Sequence, residues 1–114
     1  MSLIAGPVVD GVLGALADPS RRQLLDLLAA HGQATAATLA ADMPIYRQAV
    51  VKHLGVLDAA ALVVGGRVGR EFLYAVRPDA LDATARWMAP IAADRDRRLA
   101  AIKRPAEAAE QPPP

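Results

Sequence analysis

Apolar residues recur at helical spacing through the first part of the chain. This spacing predicts a first helix near residues 8–17 and, after the helix-starting pair Asp18-Pro19, a second helix rich in leucine that ends near Gly32. Thr35 is the predicted N-cap of a short third helix over residues 36–42. Three successive helices are therefore expected before Pro44.

The next helix, predicted over residues 46–60, has two distinct faces. Its inward positions are Ala49, Val50, Leu54 and Leu57. Its outward positions are Arg47, Gln48, Val51, Lys52, Gly55 and Asp58. The pattern predicts a helix that packs on a core and presents a basic, polar surface at its N-terminal end.

From Leu62 the apolar pattern changes to that of strands. The runs 62–64 and 72–76, separated by three glycines, predict a two-stranded hairpin within 62–77, with Arg67 and Arg70 at its tip. Pro78 opens a last helix, which Pro90 should kink or break. The Pro/Ala/Glu-rich tail, 105–114, is predicted to be disordered. We expect one domain over 1–104, mainly α with a small β-hairpin and about five helices.

The composition favours a hydrophobic core that is shared between two copies of the chain. Aromatic residues are only 4% of the 114 residues, so the core must be built from alanine, leucine and valine. Small side chains bury little apolar area each, which leaves a monomer of this size marginally stable. A core shared between two copies would offset this deficit.

Several chemical classes of protein are excluded by the residues available. The chain has no cysteine, which excludes disulfides, thiolate metal sites and thiol redox sensing. His31 and His53 lie far apart and lack a carboxylate cluster, so we expect no metal and no cofactor. We find no nucleophile–base pair or phosphate-binding glycine loop and expect no enzyme. No signal peptide or membrane-length apolar run is recognised, and we expect a cytoplasmic protein.

Positive charge is concentrated in one part of the chain. Residues 44–77 carry a net charge of +3, whereas residues 1–43 carry −2 and the remainder is balanced. The predicted helix and hairpin therefore form the basic segment, as a phosphate-facing surface requires.

The motifs 16–22 (Leu-Ala-Asp-Pro-Ser-Arg-Arg), 47–54, 61–63 and 69–71 resemble, in order and spacing, the ArsR/SmtB-type winged helix-turn-helix regulators. With 87–90 (Trp-Met-Ala-Pro), the likeness is to their Cys-free branch, often encoded beside lipid-binding-like proteins. The resemblance implies a bacterial homodimeric repressor that releases an inverted-repeat operator in double-stranded DNA on receiving a signal. It also implies a dimer interface on the first and last helices, at Val9, Val12, Leu13, Leu16, Leu81, Ala85, Met88 and Ala92.

Two positions depart from that family. Tyr46 stands where the family has a capping Ser or Thr, and the loss of such a cap costs about 0.5–2 kcal/mol. Val51, on the outward face, stands where the family often has a serine, and a valine can contact a thymine methyl instead. The family's metal sites do not carry over, because the chain has no cysteine and no histidine after His53.

The resemblance assigns DNA contact to the outer face of the fourth helix. Arg47 and Gln48 have the chemistry to read guanine and adenine, and Lys52 suits a phosphate. Tyr46 either contacts a phosphate or packs against the third helix, and His53 is interpreted as a half-buried hydrogen-bonding residue. The predicted DNA-binding set is Tyr46, Arg47, Gln48, Val51, Lys52, Arg67 and Arg70, the last two on phosphate or in the minor groove, although a charged tip also serves solubility.

Two alternatives remain open at this point. The first is a winged-helix protein-interaction module without sequence-specific DNA binding, motivated by Tyr46 and Val51. The second is an effector or metal sensor with ligands shared across a dimer, for which His31, Asp94 and Asp96 are the candidates.

Overall fold

The computed structural model describes the backbone of residues 6–110 and the side chains of residues 6–102. Five helices and one hairpin follow each other along the chain in the predicted order. They are α1 (Pro7–Ala15), α2 (Pro19–His31), α3 (Ala36–Ala41), α4 (Arg47–Ala59), β1 (Val63–Val68), β2 (Glu71–Val76) and α5 (Pro78–Glu110). The prediction of a mainly helical winged helix-turn-helix fold is confirmed.

Side-chain caps begin the second and third helices as their sequences predict. The Asp18 carboxylate accepts hydrogen bonds from the amides of Ser20, at 2.7 Å, and Arg21, at 3.3 Å. The Thr35 hydroxyl accepts from the Thr38 amide at 3.1 Å. Gly32 ends α2 with φ of 81°, a conformation in which glycine has no steric penalty. These caps set where α3 starts and hence where the turn into α4 falls.

The core lies between α1, α2, α3, α4 and the start of the hairpin, and Ala80 at the start of α5 joins it. Its largest members have no solvent exposure, and burial of each such side chain contributes about 1.5–3 kcal/mol. They are Leu24, Leu28, Leu39, Leu54, Leu57, Leu62, Val12, Val50 and Val63. The inward face predicted for α4 is therefore confirmed at Val50, Leu54 and Leu57, while Ala49 is half-buried.

The hairpin is longer than the sequence pattern predicts. Strands β1 and β2 pair antiparallel from Val63↔Val76 to Val68↔Glu71, so Gly65 and Gly66 lie within a strand. Arg67 pairs with Phe72 inside the ladder, and its predicted position at the tip is wrong; the turn is Gly69-Arg70. Glycine is required at position 65 of this strand, because a Cβ there would overlap the Phe72 ring.

A bridge joins the hairpin to the loop between α2 and α3. The Ala34 amide donates to the Tyr74 carbonyl at 3.0 Å, and the Tyr74 amide donates back to the Ala34 carbonyl at 2.8 Å. This pairing, which the sequence pattern does not predict, positions β2 against the start of α3.

Ala61, which follows the C-terminus of α4, has a strained backbone conformation. Ala61 has φ of 60°, its amide donates to the Asp58 carbonyl at 2.9 Å, and the Leu62 amide donates to the Leu57 carbonyl at 2.9 Å. This is the Schellman arrangement, whose left-handed position glycine usually occupies.

We predict that Ala61→Gly raises the free energy of unfolding by about 0.5–1 kcal/mol. The left-handed conformation costs an L-residue about 1–2 kcal/mol, and the greater chain entropy of unfolded glycine offsets part of the gain. Urea unfolding measures the difference. Ala60→Gly, at φ of −88°, is the matched control and should lower stability; a loss of stability in Ala61→Gly itself contradicts the assigned strain.

The chain divides into two compact units between Thr84 and Ala85. The first contains the winged-helix core and the first two turns of α5, and the second is the remainder of that helix. The predicted break at Pro90 is wrong, since the helix assignment is continuous from Pro78 to Glu110. A proline keeps helical φ, but it removes one amide donor and its ring crowds the carbonyl four residues earlier, so a kink at Pro90 stays a prediction.

The tail predicted to be disordered starts inside this helix. Residues 105–110 continue α5, which corrects the prediction for them, because their alanines and glutamates favour a helix once it has begun. Residues 111–114 lie outside the described part of the chain. The domain boundary at residue 104 stays a prediction.

Candidate nucleic-acid interface

The outer face of α4 carries the side chains that the sequence singles out. Val50 and Leu54 have no exposure on the core side. The opposite face is exposed and consists of Arg47, Gln48, Val51, Lys52, Gly55 and Asp58. Burial of one face fixes the direction of the other, so the cations of α4 point away from the core.

The N-terminal end of α4 is open to solvent. Tyr46 occupies the N-cap position without a side-chain hydrogen bond to the helix, and the tyrosine is 86% exposed. That exposure argues against packing on α3. The first amides of α4 keep their positive partial charge at this end, which favours an anion there.

A groove of about 390 Å³ lies between the helix-turn-helix and the hairpin; we call it the helix–wing groove. It brings together Arg47 and Val51 of α4 with Arg70 of the hairpin turn, three of the predicted site residues. Its lining residues are Thr35, Ala36, Ala37, Arg47, Val51, Arg70, Glu71, Phe72 and Tyr74. Gln48, Lys52 and Arg67 are exposed but do not line it.

A second groove of about 250 Å³, here the Asp58 groove, runs along the C-terminal half of α4. Asp58 and Gly55 line it from the helix, and Val64 and Gly65 line it from β1. Val51, Phe72 and Tyr74 border both grooves. The cations thus lie toward the N-terminal end of the helix and the carboxylate toward its C-terminal end.

Phe72 is the surface residue that the sequence interpretation missed. It is 45% exposed, and its ring meets Tyr74 edge to face with centroids 5.2 Å apart. The signal was present, because residues 72 and 74 share one face of a strand and pair opposite Arg67 and Gly65. An exposed aromatic ring beside the recognition face is thus part of the candidate site.

Arg21 links three helices behind this surface. Its Nε donates to the Ala15 carbonyl at 2.6 Å, one terminal nitrogen lies 3.6 Å from the Asp18 carboxylate, and the same nitrogen is 3.5 Å from Nδ1 of His53. The half-buried, hydrogen-bonding interpretation of His53 is confirmed. Arg22 caps α1 too, donating to the Leu16 carbonyl at 2.6 Å. The end of α1 is therefore tied to α4.

Among the residues that the structure describes, Asp18 is the one whose pKa the fold clearly shifts. Desolvation by burial raises its pKa, but hydrogen bonds from the Ser20 and Arg21 amides and the charges of Arg21 and His53 outweigh that effect and lower the pKa below 3.8. The charged form therefore stabilises the fold above the unfolded pKa, and this contribution is lost as pH falls through the lower folded pKa.

Asp18→Asn should weaken the loss of stability in acid. The amide oxygen can still cap α2, but it no longer titrates, so unfolding free energy falls less from neutral pH to pH below 3.8 than in the parent chain. Urea unfolding at both pH values measures this. Asp18→Ala, which also lacks the cap, should be less stable than Asp18→Asn at neutral pH; an unchanged acid dependence in Asp18→Asn contradicts the account.

The residues predicted for a dimer interface fall into three groups. Val9 and Val12 are 6% and 0% exposed within the single chain, so they pack inside the chain itself and offer almost no surface to a partner. Leu16 and Leu81 are half-buried against the core. The remaining four are exposed and comprise Leu13, Ala85, Met88 and Ala92. The helical spacing of apolar residues identifies the apolar face of α1. It does not show which of these residues pack in the chain's own core and which would contact a partner.

Two candidate residues of the metal-sensor alternative, His31 and Asp94, form ion pairs within the single chain. His31 pairs with Asp42 at 3.5 Å, and no group of three or more His, Asp or Glu residues suited to a metal ion occurs between residues 6 and 102. Asp94 instead contacts Arg98 at 3.3 Å one turn along α5.

In the described part of the chain, no helix is long and apolar enough to cross a membrane.

Sequence comparisons agree with this geometry. A family model described as a helix-turn-helix domain matches residues 16–65. The chain is 42% identical over 69 residues to the HTH-type transcriptional regulator Rv2034 of Mycobacterium tuberculosis. The aligned region covers 60% of this chain and 64% of Rv2034, so the chain spans just under two thirds of that relative's length. It is 31% identical over 80 residues to the transcriptional repressor SdpR of Bacillus subtilis, covering 70% of this chain and 88% of SdpR.

Solved structures extend the likeness to the fold. An ArsR-like transcriptional regulator from Rhodococcus sp. RHA1 is 41% identical, with a TM-score of 0.69 over 87% of this chain and 92% of that one. The homodimeric winged helix-turn-helix DNA-binding domain of Mb0332 from Mycobacterium bovis is 29% identical, with a TM-score of 0.58 over 81% and 82%. The chain belongs to the ArsR family of winged helix-turn-helix, DNA-binding transcriptional regulators.

Proposed function

We propose that this protein is a dimeric repressor that binds an inverted-repeat operator, with α4 in the major groove and the hairpin on the flanking backbone or minor groove. The observation that carries the proposal is the split of α4 into a buried apolar face and an exposed face beginning with Arg47, Gln48 and Lys52. In helix-turn-helix proteins the N-terminal residues of the recognition helix contact base edges.

Each exposed side chain has a distinct part in this mechanism. Arg47 would donate two hydrogen bonds to a guanine edge, and Gln48 would pair with adenine N6 and N7. Lys52, further along the helix, would neutralise a phosphate, and Tyr46 would donate its hydroxyl to another. The hairpin adds Arg70 at its turn and Arg67 in β1, which suit phosphate or minor-groove contact. The phosphate contacts set the register, and the base contacts select the sequence.

Exposed apolar side chains on both proposed interface helices support dimerisation. Leu13 on α1 is 38% exposed, and Met88 on α5 is 46% exposed. Burying such exposed apolar side chains against another protein surface removes them from water, which favours association. The homodimeric state of the Mb0332 domain supports a second copy of this chain as that partner. A two-fold dimer would then place two α4 helices on two half-sites of an inverted repeat.

Met88→Glu should convert the dimer to monomers at a concentration where the parent chain is dimeric. The carboxylate is tolerated in the single chain, where residue 88 is exposed, but burying it unpaired in an interface is costly. Sedimentation velocity measures the mass. Val56→Glu, at a valine 42% exposed on α4, is the control and should stay dimeric; a Met88→Glu dimer of unchanged stability removes this residue from the interface.

The repressor role is supported by the name of SdpR, a transcriptional repressor 31% identical to this chain. A protein bound over a promoter blocks transcription, and release from DNA on receipt of a signal would restore it. The signal itself is left open.

Salt dependence of DNA binding tests the proposal against the interaction-module alternative. A duplex containing the promoter region of the protein's own gene should bind more tightly than a shuffled duplex. Its affinity should fall steeply between about 50 mM and about 200 mM salt, because each neutralised phosphate releases counterions. Fluorescence anisotropy measures both. No DNA binding at low salt, together with salt-independent binding of a protein partner, would establish the alternative.

A further inference from the structure

The outer face of α4 changes character along its length. At successive turns it presents the cation Arg47, the apolar Val51, the bare backbone of Gly55 and then the carboxylate of Asp58. A Cβ at Gly55 would meet no atom within 4 Å, so the absence of a side chain there leaves open space. Val51 is therefore the last side chain on this row before the anionic end of the helix.

Val51 is exposed among polar neighbours. Its exposure is 45%, whereas the adjacent Val50 has none, and Gln48 and Lys52 on either side of the row are exposed too. Val51 also borders both grooves, together with the half-exposed ring of Phe72. The surface thus places an apolar contact between hydrogen-bonding side chains, at the point where the recognition helix faces the hairpin.

We propose that Val51 is a specificity-determining residue that contacts the 5-methyl group of a thymine in the major groove, next to the base that Arg47 reads. This inference rests on the proposed DNA-binding function. The cations Arg47 and Arg70 at the helix–wing groove favour DNA as the occupant, since they attract the phosphate backbone.

Thymine follows from the chemistry of the base edges. In the major groove the other bases present donors and acceptors, while thymine also carries a methyl group. Valine has no hydrogen-bonding side-chain atom, so it leaves a polar base edge unsatisfied but packs well on a methyl. Asp58 repels phosphates at the other end of the row, which keeps base contact at the Arg47–Val51 end.

Removing single methyl groups from the DNA tests this contact. The probe is a duplex selected by the parent protein from a randomised library, with each thymine replaced in turn by deoxyuridine. Uracil keeps every hydrogen-bonding atom of thymine and lacks only the methyl. At one thymine in each half-site, the replacement should weaken binding about fourfold, the effect of one buried methyl group. In Val51→Ser the same replacement should leave affinity unchanged.

Val56→Ser is the matched control, because Val56 lies on the same helix, is 42% exposed and lines neither groove. It should keep the fourfold discrimination. Equal binding of thymine and uracil duplexes at every position overturns the inference while specific binding still supports the proposed function. Discrimination that persists in Val51→Ser assigns the methyl to another side chain and also overturns it. Failure of the library to yield any selected duplex defeats the proposed function itself.

Discussion

Leu54→Ala is expected to lower the free energy of unfolding by about 2–5 kcal/mol. Leu54 has no solvent exposure and lies on the inward face of α4, within the core that α2 and α3 also line. The shortened side chain loses its burial and leaves a cavity that close-packed neighbours fill only partly. Domains of this size are stable by only about 5–15 kcal/mol, so the variant should lose a large share of its stability.

Val51→Ala, at an exposed position three residues earlier on α4, is the control for this substitution. It removes an exposed side chain, so its unfolding free energy should stay within about 0.5 kcal/mol of the parent. Urea unfolding followed by circular dichroism measures both variants. If the two substitutions cost the same, the assignment of buried and exposed faces on α4 is wrong.

Removing the two cations of the α4 face should reduce DNA affinity far more than it reduces stability. For Arg47→Ala combined with Lys52→Ala we expect a loss of roughly 10- to 1000-fold at fixed salt for each half-site that the protein engages. The basis is one base contact worth about 1–3 kcal/mol and one phosphate contact per half-site. Both side chains are exposed, so the thermal unfolding midpoint should change little. Fluorescence anisotropy with the selected duplex measures the affinity.

Arg95→Ala combined with Arg97→Ala is the matched control. It removes the same two charges from exposed positions on α5. General electrostatic attraction weakens equally, but contacts at the α4 face are kept, so the affinity loss should be much smaller. Equal losses in the two double variants would mean that net charge, and not the position of Arg47 and Lys52, governs binding.

The apolar period of α4 was sufficient to predict which residues the structure exposes. Since Val50, Leu54 and Leu57 fit one helical stripe, Arg47, Gln48 and Lys52 had to lie on the other side, and they do. The caps at Asp18 and Thr35 were also predictable, because their hydrogen bonds join residues two or three apart. Local chemistry therefore accounts for the helix starts and for the face of the candidate site.

Features that depend on distant contacts could not be predicted in this way. Gly65 was placed between the two apolar runs, but it lies in β1, where the Phe72 ring occupies the space that a Cβ would need. Val12 was assigned to a dimer interface, although it packs in the core of its own chain. The bridge between Ala34 and Tyr74 joins segments 40 residues apart. Neither spacing nor composition carries information on such partners.

The placement of α4 in the major groove is tested most directly by guanine methylation interference on the selected duplex. Dimethyl sulfate methylates guanine N7, a major-groove atom, and the proposed Arg47 contact uses that atom. We predict interference at two symmetric clusters about one helical turn, roughly 10 base pairs, apart, which disappears in Arg47→Ala. Binding that is indifferent to N7 methylation in both half-sites would contradict a recognition role for α4.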